Sequence, residues 1–595
     1  MKYFAWILIG SVAGLAGVLL LLPEPAPEPP DAPSTADRTF ITGARIFDGE
    51  EFIDDATLVI AGGRIEALGR DLAVDDGAAA VDASGKTILP GLIDAHVHSF
   101  GTARADALRF GVTTMLDMFR PPLDFERTHA ERESLAPTDQ ADLYSAGFLA
   151  TAPGGHGTQY GIEVPALTGP DEAPQWVAAR KAEGSDWIKI VIEPGWGGRE
   201  LPTLDPATVA ALLEAAHAAG LMAVAHVSTY ADAITAIEAG VDGLMHLFTD
   251  RPVDAAFLTA ARAAGIFVVP TTPVLAGLHR HDDTAWMDAH PILGPRLTTA
   301  QRQGLAQRFP IAAGDGSAWS VIETNIDALH AAGIPILAGS DAPNPGAAHG
   351  ASIHHALRLL VGAGLSPTQA LRAATGAPAG EFGLEDRGCL KSGCRADLLI
   401  VDGNPQVDIA ATAQIDSIWK NGHRVEVKPP AAPVEPAAAD ETPTGPVDLL
   451  ADCESWTASA DNYMGGASES AITWTDDGDA PALELSARVA AGYAFPYAGA
   501  MWFADAIPMQ PRDHTGYKRL VLELDGPAGD YQALMFSGES QAVTPARIAI
   551  EAGRVTTIDL DSVGGLDLAR LRAVGVFASG AAREVDFTIR QARLE

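Results

Sequence analysis

The residues able to do chemistry in this chain are a few imidazoles, one carboxylate and one amine. His96 and His98 stand two apart in Leu92-Ile93-Asp94-Ala95-His96-Val97-His98. Side chains on a strand alternate between faces, so both rings project from one side while Val97 packs behind them. Two imidazoles on one rigid edge make half of a metal site. His226, His246 and Asp341 each end a further apolar run. Imidazole and carboxylate ligands suit zinc first, with manganese, iron or cobalt as alternatives. Lys189 is the sixth candidate. It sits inside Trp187-Ile188-Lys189-Ile190-Val191-Ile192, where an unpaired ammonium is costly unless it is paired or neutralised. A desolvated amine there loses its proton and captures carbon dioxide, giving a carbamate that bridges two metal ions. The plainer alternative is a lysine whose stem packs while its head reaches water.

The elements that must hold these residues repeat. Apolar runs cover 112–117, 143–150, 187–192, 221–226, 241–246, 266–270 and 334–341, and with the His96/His98 strand they make eight. Most are followed by an alanine-rich helical segment, such as 206–219 or 230–239. Eight such units in about 270 residues predict a closed parallel α/β barrel, whose active site lies at the carboxyl ends of the strands. That rule brings His96, His98, His226, His246 and Asp341 to one rim. Before the barrel, from Arg38 to about Lys86, short alternating runs with Gly62-Gly63 as a hairpin turn predict a small sheet. Between the last two barrel strands, 271–333 exceeds ordinary loop length, and the part around His279 to Asp283 is expected to cover the site.

Pro90-Gly91-Leu92-Ile93-Asp94-Ala95-His96-Val97-His98, Asp186-Trp187-Ile188-Lys189-Ile190, Val224-Ala225-His226, Gly243-Leu244-Met245-His246 and Ala338-Gly339-Ser340-Asp341-Ala342 resemble the metal-binding motifs of the amidohydrolase superfamily. The resemblance is strongest to its imidazolonepropionase-like branch, which includes metal-dependent dipeptidases. It extends over roughly 38–428, including Leu365-Ser366-Pro367-Thr368-Gln369-Ala370-Leu371 and Ala396-Asp397-Leu398-Leu399-Ile400-Val401-Asp402. It implies a barrel over 89–384 and one composite β-sandwich from 38–88 and 385–428. It also implies that His96, His98 and Asp341 bind one divalent metal, and His226 and His246 a second, with carboxylated Lys189 bridging. Such a pair acidifies a shared water to hydroxide and polarises the scissile carbonyl. Asp341 would take the proton and pass it to the leaving amine. The activity implied is hydrolysis of amide-like bonds, in dipeptides or in N-acyl or cyclic amides.

By the same resemblance, His156 in Gly154-Gly155-His156-Gly157 faces the substrate carbonyl, and Tyr230, four residues past His226, is a candidate to orient substrate. A Glu expected after the eighth strand is replaced by His354-His355-Ala356-Leu357, which leaves substrate recognition open. Two other functions compete. A mononuclear deaminase of this fold uses a Glu closely following the fifth-strand His, whereas Val227-Ser228-Thr229 follows His226 here. In a non-catalytic surface binder the barrel would only display the carboxyl-terminal module.

The net charge of -37 over 595 residues opposes binding to phosphate backbones, so nucleic acid is excluded as a partner. Tyr3 to Leu22 is almost wholly apolar, preceded by Lys2 and followed by a Pro- and Glu-rich stretch. About 20 apolar residues match a bilayer, so 1–22 reads as an uncleaved inner-membrane anchor with an exported, periplasmic or cell-surface remainder. A cleaved signal peptide is the rival reading. Residues 23–37 read as a spacer and 429–446, rich in Pro, Ala and acid, as a linker. From 447 to 595 strands recur with short turns, predicting an antiparallel jelly-roll sandwich. There Asp461-Asn462-Tyr463-Met464-Gly465-Gly466-Ala467-Ser468 resembles the signature of the domain family named for complex I intermediate-associated protein 30, whose fold is similar to galactose-binding-like sandwiches. The module is either a glycan- or protein-binding unit or a stabilising appendage. Cys389 and Cys394 flank a tight turn, and both a disulfide and two free thiols fit that spacing.

Overall fold

The computed structural model describes residues 38–158, 164–195, 200–281, 284–309, 317–428, 446–451, 455–460, 468–476, 481–490, 497–504, 511–538 and 545–595. The apolar segment 3–22, the spacer, most of the linker, Cys453 and residues 461–467 of the carboxyl-terminal motif lie outside them.

The first strands are β1 (Arg38–Phe47), β2 (Phe52–Ala61), β3 (Arg64–Gly69), β4 (Ala79–Asp82) and β5 (Lys86–Pro90). Gly62 and Gly63, both at positive φ, turn β2 back onto β3, as only glycine does without strain. The parallel strands follow: β6 (Leu92–Val97), β7 (Val112–Asp117), β8 (Asp142–Ser145), β9 (Ile188–Ile192), β10 (Ala223–Val227), β11 (Gly243–Met245) and β12 (Phe267–Val269). Late in the sequence β13 (Leu398–Asp402), β14 (Ile415–Lys420) and β15 (His423–Arg424) return to the first group. They pair in the order β15-β14-β13-β5-β1-β2-β3, with β4 on β1, so the two ends of the catalytic unit build one eight-stranded sheet.

The parallel strands form two sheets, β6-β7-β8 and β9-β10-β11-β12. Every residue of β6, β7 and β9 is buried, the pattern expected when helices cover one face and a core fills the other. Two predicted strands differ from the expectation. The third is regular only over Asp142–Ser145, although Ala150 makes a parallel bridge to Ile190. The eighth, 334–341, is not a continuous strand. It bridges from Ile336 to Val268 and, one residue past its end, from Ala342 to Val97, and the Leu337 and Asp341 N–H groups donate to the Val268 and His96 carbonyls. Gly339 lets this segment lie close against its neighbours, because a Cβ there would stand 2.6 Å from Val269 Cγ1 and 2.9 Å from His96 Cβ. The alternation of parallel strands and helices is consistent with an α/β TIM barrel.

The connecting helices are capped by their own sequences. Asp205 accepts the Thr208 N–H ahead of Pro206–Ala218, and Thr229 with Asp232 forms a capping box at Tyr230–Glu238. The long segment before 334 is not one covering loop. It contains helices Thr272–His279, Ala285–Ala289, Thr299–Ala306 and Ser317–Ala331, with His281 stacked on Trp319 at 4.1 Å. Residues 282 and 283 lie outside the described set.

The carboxyl-terminal region is all β, in two antiparallel sheets with a core of its own. One runs Glu469–Asp476, Pro481–Val489, Arg583–Leu594, Arg519–Asp525, Val555–Asp559, with Val447–Asp448 also on Arg583–Leu594. The other runs Trp456–Ala460, Tyr497–Phe503, Leu571–Ser579, Tyr531–Ser537, Ala546–Ile550. Trp456–Ala460 and Tyr497–Phe503 are strands that the alternation in the sequence did not reveal. Cys389 and Cys394 form a disulfide.

Candidate active site

The site is built from strand ends. His96 is the fifth residue of β6, and His98 follows one residue past its end. His226 is the fourth residue of β10, and His246 follows β11 directly. Asp341 lies on the irregular segment that bridges β12 and β6. The register between that segment and β6 is held by Asp94, which accepts the Ser340 N–H at 2.9 Å and the Ser340 hydroxyl at 2.6 Å. Asp117, at the end of β7, accepts the Ser99 N–H at 2.7 Å and the Ser145 hydroxyl at 2.6 Å, tying β6, β7 and β8 together at the same rim.

The side chains converge. Asp341 Oδ1 is 3.0 Å from His98 Nε2 and 3.3 Å from His96 Nε2, and Oδ2 is 3.9 Å from His246 Nδ1. The His96 and His246 rings are 4.7 Å apart, and those of His226 and His246 4.5 Å. Nitrogen and oxygen atoms of His96, His246 and Asp341 all lie within 4.8 Å of one another. His246, Asp341 and Thr271 have φ of 71°, 57° and 48°, an uncommon conformation for residues with a Cβ and one that concentrates at functional sites.

Lys189 lies among them on β9, 3% exposed, and its Nζ has no hydrogen-bond partner among the described residues. Burial pulls its pKa from the usual lysine value to about 7, with Asp341 opposing. Burial, reinforced by the nearby Lys189 charge, also takes His96 and His226 down to about 3, which leaves both rings neutral at pH 7. Burial works against charge on Asp341 too, but the imidazoles of His96, His98 and His246 more than offset it and hold its pKa well below the usual carboxylate value.

This donor set fits divalent cations. His96 Nδ1, His98 Nδ1 and Lys189 Nζ are buried without a hydrogen-bond partner among the described residues, and Asp341 Oδ1 meets His96 and His98 Nε2 in a common space. His96, His98 and Asp341 would hold one ion and His226 and His246 another, with Lys189 between them.

His156 joins the group, its ring stacked on His226 at 4.8 Å, and burial lowers its pKa to about 3. Tyr230 does not. Its hydroxyl donates to Asp254 at 3.0 Å and its ring packs on Phe248 and Phe257, none of them among the converging residues. His354 is likewise structural, held by Thr412 at 3.1 Å and by the Phe110 carbonyl at 2.9 Å.

Sequence reasoning missed three residues. Thr271 Oγ1 is 2.7 Å from His246 Nδ1. His349, buried with its Nδ1 unpartnered among the described residues, hydrogen-bonds the His98 backbone. Glu193, the residue after β9, is 3.1 Å from His226 Nε2. For Glu193 a signal existed, because an acid directly after an apolar strand at the carboxyl rim obeys the rule used for the histidines.

The family described as Amidohydrolase family matches residues 87–425. Among curated proteins, the dihydroorotase of Trichlorobacter lovleyi is 46% identical over 59 residues, 10% of this chain and 14% of that protein. An allantoinase of Escherichia coli O139:H28 is 34% identical over 86 residues, 13% of this chain and 18% of that protein. The match thus spans less than a fifth of the length of either relative. Among solved structures, a Xaa-Pro dipeptidase with bound methionine in its active site aligns with TM-score 0.52 and 23% identity, over 65% of this chain and 100% of that one. A putative prolidase from Bifidobacterium longum aligns with TM-score 0.53 and 25% identity, over 66% of this chain and 95% of that one. With the family's match covering more than half of the sequence and the fold shared along nearly the whole of these neighbours, the chain belongs to the amidohydrolase family.

Proposed function

We propose that this protein is a binuclear metal-dependent hydrolase of amide bonds, with a closed (β/α)8 barrel and a carboxylated Lys189. The observation that carries the reading is the buried, unpartnered Lys189 amine in the middle of four histidines and Asp341. A lysine that is neutral near pH 7 can attack carbon dioxide, and the carbamate turns a costly buried cation into an anionic ligand. Two divalent ions, zinc first, would acidify a water and polarise the scissile carbonyl. Asp341 takes the proton from the attacking water on its carboxylate and delivers it to the leaving nitrogen, so that the products are a carboxylic acid and an amine. His156, stacked on His226, binds the substrate carbonyl.

Dihydroorotase and allantoinase among the relatives, and a prolidase among the structural neighbours, direct the substrate screen to cyclic amides and dipeptides. A second reading, a mononuclear deaminase, gains support from Glu193, which supplies a carboxylate beside His226 from a different strand. It leaves Lys189 without a role, and a measured content of two metals per chain would exclude it. We also propose export with residues 3–22 as anchor. The Cys389–Cys394 disulfide supports export, since such bonds persist in oxidising compartments.

The test of the bridge is Lys189→Ala. Metal content and turnover should fall together, and acetate or formate should restore part of both by occupying the vacated space. Full retention of two metals in Lys189→Ala would refute the bridge and the binuclear mechanism with it.

A further inference from the structure

Glu193 lies four residues beyond Lys189, on the side of the chain that the two-residue alternation gives to Lys189. It is 4% exposed and fixed from several directions. Its Oε1 accepts the Gly195 N–H at 2.7 Å, its Oε2 accepts the Ser228 hydroxyl, and its own N–H donates to Thr203 Oγ1 at 3.0 Å. The fourth contact is His226 Nε2, 3.1 Å from Oε2.

That contact determines which nitrogen of His226 carries the proton. Ser228 Oγ is 3.4 Å from the same Nε2, but its single proton is already given to Glu193. A carboxylate oxygen only accepts, and a hydroxyl whose proton is committed can only accept as well. Nε2 is therefore the protonated nitrogen, and in a neutral imidazole the lone pair is then on Nδ1. His246 is arranged the other way, with Nδ1 engaged by Thr271 at 2.7 Å and Nε2 left over.

We infer that Glu193 is the positioning residue of the second metal: it locks His226 in the Nε2–H tautomer, so that Nδ1 is the ligand. The inference rests on the binuclear reading above. Carboxylates that accept the far N–H of a ligating histidine raise its basicity and fix its ring, and their loss costs about 10–100-fold in metal affinity.

The experiment is zinc binding to the metal-stripped full chain, by competition with a chromophoric chelator, for wild type, Glu193→Gln and Glu193→Leu. The Gln carbonyl still accepts the Nε2 proton, so Glu193→Gln should bind two zinc ions with close to wild-type affinity. Glu193→Leu should weaken one ion by about 10–100-fold and leave the other unchanged, with the melting temperature of the metal-free protein preserved. Two outcomes would overturn the inference. Unchanged binding of both ions by Glu193→Leu makes Glu193 idle, and equal losses in Gln and Leu make it a direct ligand. If Glu193→Leu does not fold, nitrogen-15 histidine spectra of the cadmium-113 form of the wild type decide. Coupling of the metal to His226 through Nδ1 is expected, and coupling through Nε2 overturns the inference. Fewer than two zinc ions in the wild type would sink the binuclear reading instead, a result separate from either variant.

Discussion

Lys189 carries an electrostatic cost that the metal-free protein must bear. In the unfolded chain its amine keeps a proton up to its ordinary pKa of 10.5, whereas the folded, desolvated amine releases it near 7. Between those values the unfolded state binds more protons, so the Lys189 contribution makes the fold more stable as pH rises. The penalty is complete below pH 7 and relieved by about pH 10.5. Metal-stripped wild type should therefore gain thermal stability between pH 7 and pH 9 relative to Lys189→Met, which has no titrating group there. Parallel melting curves for the two proteins across that range would show that the lysine is solvated. Glycine matters at this scale as well. Gly339 is required because any side chain there would press on His96 and Val269.

Among the elements, the returning strands are joined to the parallel strands by a buried ionic cluster that meets β8 at its start, Asp142, whereas the candidate ligands stand at strand ends. Lys420, at the end of β14, donates to Asp397 at 2.7 Å, to Asp142 at the start of β8 at 3.0 Å and to Asn421 at 3.2 Å. Arg387 also donates to Asp142 at 2.9 Å. All four charged groups are buried, so removing one cation strands a carboxylate in a low dielectric. Lys420→Met should destabilise the catalytic unit by about 3–5 kcal/mol, measured by urea unfolding. The pair of Arg45 with Asp54 is more exposed, and Arg45→Ala should cost no more than about 1 kcal/mol. Equal effects would mean that the cluster is hydrated.

On the scale of the whole molecule, two hydrophobic cores are separate in sequence. The larger core draws on residues from Phe47 to Val427, and the carboxyl-terminal core on residues from Val447 to Leu594. Every candidate ligand belongs to the first part of the chain. Deleting 447–595 should leave hydrolysis of a small amide largely intact, with kcat and zinc content measured on the truncated protein. Loss of activity in a folded, metal-replete truncation would assign the module a role in catalysis. Pro481–Val489 is legible because it is half-buried on one sheet, so inward and outward residues alternate, whereas Leu571–Ser579 is buried throughout and shows no alternation.

The candidate metal ligands can be picked out from the sequence alone, because a parallel strand buried on both faces is a nearly unbroken apolar run, and a His or Asp at its end stands out. The same contrast exposed Lys189, a charge inside such a run. What the sequence could not settle was anything set by contact between distant segments. The close approach of 334–341 to β6 and β12 depends on the missing side chain of Gly339. Tyr230 went to packing because Asp254 and two phenylalanines meet it from the next strand–helix unit. Glu193, Thr271 and His349 sit beside ligands far away in the chain, and no local spacing encodes which ring nitrogen each neighbour engages. Local pattern reports how a strand is buried. Pairing between side chains of different strands is decided only when the chain has closed around them.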